Sequence, residues 1–281
     1  MTILVVLTLN TLNSLYVFPV TEGWWETYAW LGGDTYDYYS NLELKFPPLY
    51  TIIIKHLYQI TNANIIYIRL IIGVISLATT IMMYKWLQLF YNNISAALGV
   101  LIATLFVINN NVYLVKDYHT VVSFFVCIVL YTINKAVNSE TKYRSSIMYF
   151  LCGISCALLF LTKQNLGIFV SLGALIFCIK SNEYSKQQNY KTVCSNIIYA
   201  TLGTLLPIAY LYKIIPNMFG FMLNNDSKGS LMVLLFIFLI DKHLLLYIIL
   251  AVMYIICFLI IKYISEKLKS GLLISIFINL I

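Results

Sequence analysis

Apolar residues in this chain come in long blocks, not at the three-to-four-residue spacing of an amphipathic helix or the alternation of a half-buried strand. Blocks at 3–18, about 65–84, 95–114, 119–136, 146–161, 165–180, 193–212 and 244–261 follow one another along the sequence, and an incomplete one starts near Gly271. Each approaches the roughly 20 residues needed to cross a hydrocarbon core about 30 Å thick. The pattern therefore predicts an all-α, polytopic membrane protein with eight spans and part of a ninth. The first block lacks a basic flank and a small-residue cleavage site, so it reads as a retained helix and not as a removed signal. The stretch 230–240 is stopped by Asp241-Lys242-His243 and is too short to span alone. It suits a re-entrant or interfacial helix, or joins the next block as one long tilted span. Residues 272–281 are apolar with no polar flank, so the chain, one transmembrane domain over 1–281, is expected to be a C-terminally truncated piece.

Composition agrees with this reading and narrows the function. Hydrophobic residues make up 61% of the 281 and charged residues 10%, with a mean hydropathy of +0.85, which excludes a soluble domain, typically about 25% charged. The net charge of +7 comes from 16 Lys and two Arg scattered between apolar blocks, so no basic groove for nucleic acid is expected. The six cysteines all fall within apolar blocks, without CxxC or His at zinc spacing; they read as small buried hydrophobes, with no metal site.

Lys and Arg in the short connections set the orientation. With the N-terminus cytoplasmic, the inner connections hold ten: Lys85, Lys135, Lys142, Arg144, Lys180, Lys186, Lys191, Lys262, Lys267 and Lys269. The outer side holds seven (Lys45, Lys55, Lys116, Lys163, Lys213, Lys228 and Lys242), and Arg69 lies within a span. A multi-pass protein of the cell membrane results, with 19–64, the loop around 109–120 and 213–243 outside.

The first outer loop, 19–64, carries the most chemistry. Glu22-Gly23-Trp24-Trp25-Glu26-Thr27-Tyr28-Ala29-Trp30-Leu31 suits a short helix in the interface, with Glu22 and Glu26 on one face and the tryptophans at headgroup depth. Pro47-Pro48 then forbids continuation, and Pro48 suits the first turn of a new helix through Ile54 towards Tyr58. Two in-plane helices would make a platform on the outer leaflet. The plain alternative is an aromatic belt with solvated acids. The sharper one is that carboxylates beside a membrane, costly unless paired or used, serve as a general base for a reacting hydroxyl.

The acidic residue just past the first block, the aromatic helix after it, and Pro47-Pro48-Leu49-Tyr50 resemble the first outer loop of GT-C superfamily glycosyltransferases. The branch is that of polyprenyl-phosphate-sugar transferases related to protein O-mannosyltransferases and to the aminoarabinose transferase of lipid A. In that family an acidic pair, commonly Asp-Glu, carries the catalytic carboxylate. Here the pair is Thr21-Glu22, so Glu22 is the implied base, with Glu26, Asp34 and Asp37 in reserve. Lys116-Asp117-Tyr118-His119-Thr120 resembles the family's second acidic motif, although Asp117 also suits a plain helix cap. Leu161-Thr162-Lys163-Gln164-Asn165, after a Gly-containing helix, resembles a further family motif; the alternative is a polar turn with a snorkelling lysine. The resemblance covers roughly 1–215, and family members are about twice as long.

What the resemblance implies is transfer of a monosaccharide from a polyprenyl-phosphate donor to a hydroxyl of a glycan, lipid or protein at the outer face, with inversion. Glu22 and Asp117 would be catalytic. Lys45, Glu26, Tyr50, His119, Lys163, Gln164 and Asn165 would bind substrate, and Lys45 or Lys163 would stabilise the leaving phosphate. Asp117 and His119 can face a divalent cation, but no metal requirement follows from two ligands. Three other readings stand beside this one: a transporter or flippase, a membrane O-acyltransferase, and an inactive fragment. A transporter expects charges and repeats within the spans. An acyltransferase needs a deep histidine, whereas His56, His119 and His243 fall in loops or at helix ends.

Overall fold

The computed structural model describes residues 22–31, 38–39, 42, 44, 46–110, 118–139, 141–184, 190–215 and 217–219, and among them it is helical without a strand. The expected spans at 3–18 and 244–261, the 230–240 segment and the fragment from Gly271 lie outside the described residues. Among the described residues eight helices follow in order: α1 (Glu22–Leu31), α2 (Leu49–Ile60), α3 (Ile65–Leu87), α4 (Asn93–Asn110), α5 (Tyr118–Val137), α6 (Lys142–Thr162), α7 (Gln164–Tyr184) and α8 (Tyr190–Ile214). The last six coincide with the apolar blocks. Among the described residues Ile65–Leu87, Tyr118–Val137, Lys142–Thr162 and Thr192–Ile214 are long and apolar enough to cross a membrane. At about 1.5 Å per residue, 20 to 23 residues reach the roughly 30 Å of hydrocarbon. The molecule is an all-helical membrane protein.

Local chemistry sets the helix boundaries. Pro48 stands one residue before α2 in helical geometry, at the N-cap and not within the first turn, and the Ile52 amide donates to its carbonyl at 3.0 Å. The turn from α2 to α3 uses two left-handed residues, Asn62 and Ala63, at φ 50° and 62°. Asn64 then caps α3, its side chain accepting from the amides of Ile66 at 3.0 Å and Tyr67 at 3.5 Å. Between α6 and α7 only Lys163 leaves helical geometry, at φ −147° and ψ 99°. The fold-back there is tight: a Cβ on Gly167 would overlap the backbone of Phe160 one turn before the bend.

Small residues allow the closest helix crossing. A Cβ on Gly153 of α6 would overlap the Ala200 carbonyl oxygen, and one on Gly203 of α8 would overlap that of Phe150. Thr204 lies in the same crossing and donates to the carbonyls of Ala200 at 3.0 Å and Gly153 at 3.2 Å. Lipid tails compete with apolar side chains for contact, so close backbone approach and interhelical hydrogen bonds hold such helices together. Alternating directions put the starts of α3, α5 and α7 and the ends of α6 and α8 at one end of the bundle, and α1 and α2 cover that end.

Candidate functional site

The cover is built from two matched faces. Trp25 and Ala29, four apart on α1, pack against Tyr50 and Ile54, four apart on α2, and this pair rests on Ile68 and Ile72 of α3 and Val121 of α5. Trp25 is the centre of an aromatic cluster. Its ring lies 5.3 Å from Phe46, 5.1 Å and edge-on from Tyr50, and 5.4 Å from Tyr118, and Tyr50 stands 6.2 Å from Tyr118. Edge-to-face and tilted pairs at these separations add to the contact area of the rings. A second cluster fixes the following stretch of loop: Tyr38 and Leu44 are buried with Ile52 of α2, Leu161 of α6 and Leu211 of α8. Tyr39 donates to the Phe46 carbonyl at 2.9 Å, and burial, then the neighbouring Tyr38, push its phenol above the ordinary range.

One ring of the aromatic cluster carries polar groups with it. Tyr118 opens α5, and the next residue, His119, stacks beside it with ring centroids 3.9 Å apart. Lys163 arrives from the α6–α7 bend. Its Nζ sits 3.4 Å from His119 Nε2 and 5.4 Å from the Tyr118 centroid. An ammonium only donates, so in a hydrogen bond between the two His119 Nε2 is the acceptor. The aromatic face and the imidazole, the two contacts described for Lys163, hold the cation in place without themselves neutralising it.

The structure thus brings together Tyr50, His119 and Lys163, three residues that the sequence placed in three separate motifs. Glu26 is half-buried on α1 beside Trp25, and Gln164 and Asn165 form the first turn of α7, half-buried and exposed respectively. Glu22 begins α1. Its side chain, and Lys45, Asp117, Asp34 and Asp37 altogether, lie outside what is described. The tryptophans of α1 differ in packing: Trp25 is buried against protein, while Trp30 is 66% exposed. The signal was the i, i+4 pairing of Trp25 with Ala29. Tyr118 was also missed as a site residue, since a tyrosine before a histidine carries no spacing signature.

Two further cations are buried next to the cluster. Lys55 follows Ile54 on α2 and Arg69 follows Ile68 on α3, only 4% and 8% exposed. Lys55 is therefore no surface lysine of the outer loop. Among the described residues no group of three or more His, Cys, Asp or Glu is placed to hold a metal ion.

Residues 45–211, more than half of the chain, match the family model described as dolichyl-phosphate-mannose-protein mannosyltransferase. The match takes in α2 to α7 and most of α8, and with them Tyr50, Tyr118, His119 and Lys163. No curated protein and no solved structure matches the chain.

Proposed function

We propose that this chain, which belongs to the dolichyl-phosphate-mannose-protein mannosyltransferase family, transfers a sugar from a polyprenyl-phosphate donor to an acceptor hydroxyl at the covered end of its helix bundle. The observation that carries the proposal is the meeting of Tyr50, His119 and Lys163 around the Tyr118 ring. A cation held by an aromatic face and an imidazole at the end of a membrane bundle suits a donor that keeps its tail in lipid and presents its phosphate at the interface.

In the proposed reaction Glu22 takes the proton of the acceptor hydroxyl. The oxygen attacks the anomeric carbon from the face opposite the phosphate, the bond from that carbon to the phosphate oxygen breaks, and polyprenyl phosphate leaves with the electron pair. The new glycosidic bond has inverted configuration. Lys163, with Lys45, meets the charge developing on the leaving phosphate, and Tyr50, Glu26, Gln164 and Asn165 line the donor and acceptor. Asp117 is assigned a second catalytic role beside His119. A base contributes about two to four orders of magnitude to such a step. The acceptor is a glycan, lipid or protein, and the site faces the outside of the cell membrane with the N-terminus cytoplasmic.

The test is release or transfer of sugar from a radiolabelled polyprenyl-phosphate sugar by the purified chain in detergent, wild type beside Glu22→Gln. Glu22-dependent turnover supports the assignment. Turnover that survives Glu22→Gln moves the base to Glu26, Asp34 or Asp37. A folded chain that binds the labelled lipid without turning it over refutes the transferase reading for this chain.

A further inference from the structure

The opposite end of the bundle holds a cavity of about 470 Å³ that the transfer reaction does not use. Trp86 and Tyr91, at the end of α3 and the turn after it, line it together with Val126 and Asn134 of α5 and Gly173 and Phe177 of α7. Val126 and Asn134 are eight residues apart on one face of α5, so the cavity runs about 12 Å along that helix, inward from its end. The wall is mostly hydrocarbon. Trp86 is an exception, since it is buried at 6% exposure and its indole Nε1 has no hydrogen-bond partner among the described residues. A buried donor of this kind costs free energy unless something supplies an acceptor. Gly173 leaves room, with nothing among the described residues within 4 Å of an added Cβ.

Charge at this end favours an anion. Lys85 and Lys135, chain neighbours of the lining residues Trp86 and Asn134, are both exposed, as are Lys142 and Arg144 at the start of α6. In sequence the three connections here, 85–93, 135–144 and 180–191, carry seven Lys and Arg against Glu140 and Glu183. Basic residues around a pocket between spans recognise anionic lipid headgroups. We propose that the cavity binds one acyl chain of an anionic phospholipid, with its phosphate at Lys85 and Lys135 and an ester carbonyl accepting from Trp86 Nε1. The ester region lies just inside the headgroups, at the depth where aromatic residues at a span's end sit.

Native mass spectrometry of the full chain in detergent tests this, with phosphatidylglycerol and phosphatidylcholine of identical chains as probes. Wild type should retain one phosphatidylglycerol about tenfold or more in preference to phosphatidylcholine, each lysine contributing about fivefold. Lys85→Gln with Lys135→Gln, both exposed, should bring the two lipids to near-equal retention without lowering the thermal midpoint. Gly173→Leu, which fills open space, should abolish retention of both. Equal retention of the two lipids by wild type, or undiminished phosphatidylglycerol binding in Gly173→Leu, overturns the proposal. So does polyprenyl phosphate that competes phosphatidylglycerol off the wild type, since the cavity would then belong to the donor.

Discussion

Replacing Lys163 by Met removes a charge while keeping most of the stem, and the two roles open to this residue then predict different numbers. As a phosphate ligand, Lys163 makes a charge-assisted hydrogen bond worth about 1.5–3 kcal/mol, so its loss should raise the donor KM or Kd by about 10- to 150-fold. As a structural residue it contributes far less. Its contact with the Tyr118 ring, 5.4 Å from the centroid, is worth about 0.5–1 kcal/mol at a partly exposed position. The bond to His119 is long at 3.4 Å and sits at the weak end of the range. The stability loss should therefore stay near 1 kcal/mol. The assay is a donor titration with a labelled polyprenyl-phosphate sugar, with thermal unfolding of the same preparations in detergent, for wild type, Lys163→Met and Lys163→Arg. Arg keeps the charge but brings a planar fork, so it should recover only part of the affinity. A donor affinity within threefold of wild type in Lys163→Met, at unchanged stability, would refute the phosphate role and leave an ordinary polar bend.

Three further substitutions probe other parts of the argument. Glu22→Gln should lower turnover by at least two orders of magnitude while leaving membrane insertion and donor binding intact, read by single-turnover transfer and by alkaline extraction of membranes. Trp25→Ala empties the centre of the aromatic cover, a loss of about 3–5 kcal/mol for a buried tryptophan, and should expose α1 and α2 to protease before the bundle melts; Trp25→Phe should retain most of the protection. Gly203→Leu forces α8 away from the Phe150 carbonyl and should cost about 1–3 kcal/mol or more, seen as a lower thermal midpoint in detergent, whereas Gly173→Ala, with open space at its Cβ, should be silent in the same measurement.

The helices within 65–214 were legible because lipid demands long unbroken apolar stretches; among the described residues four of them, α3, α5, α6 and α8, are long and apolar enough to cross. The helix at Glu22–Leu31 was legible for another reason: the carboxylates four apart define a face, and Pro47-Pro48 forces a separate helix to start at Leu49. Burial was harder to read. Trp25 and Trp30 have the same composition-level signal for an interface, yet one is buried and the other is not, because only Trp25 points at a partner, and the partner is 25 residues away at Tyr50. Lys55 and Arg69 were counted as a loop lysine and a lone charge within a span for the same reason. Which face of a helix meets a neighbour is a property of packing, and single charges carry no period from which to infer it.

The candidate site was legible to the level of which end, and no further. Two helices, α3 and α4, separate the first outer loop from His119, and two more, α5 and α6, separate His119 from Lys163. An even number of crossings returns the chain to the side it left, so sequence alone places all three groups at one end, provided every apolar block crosses. Had α4 been a surface helix, Tyr118 would stand a membrane's thickness from Trp25; their rings are 5.4 Å apart. Had α5 and α6 differed by even two turns in length, about 11 Å at 5.4 Å per turn, Lys163 would miss His119; the helices have 20 and 21 residues, and the contact is 3.4 Å. The cluster thus depends on matched span lengths and on α4 returning the chain, which makes it sensitive to changes far from any substrate. A four-residue insertion in the middle of α5 adds about 6 Å, enough to part Lys163 from His119 without touching either residue, and should reproduce the donor-affinity loss of Lys163→Met.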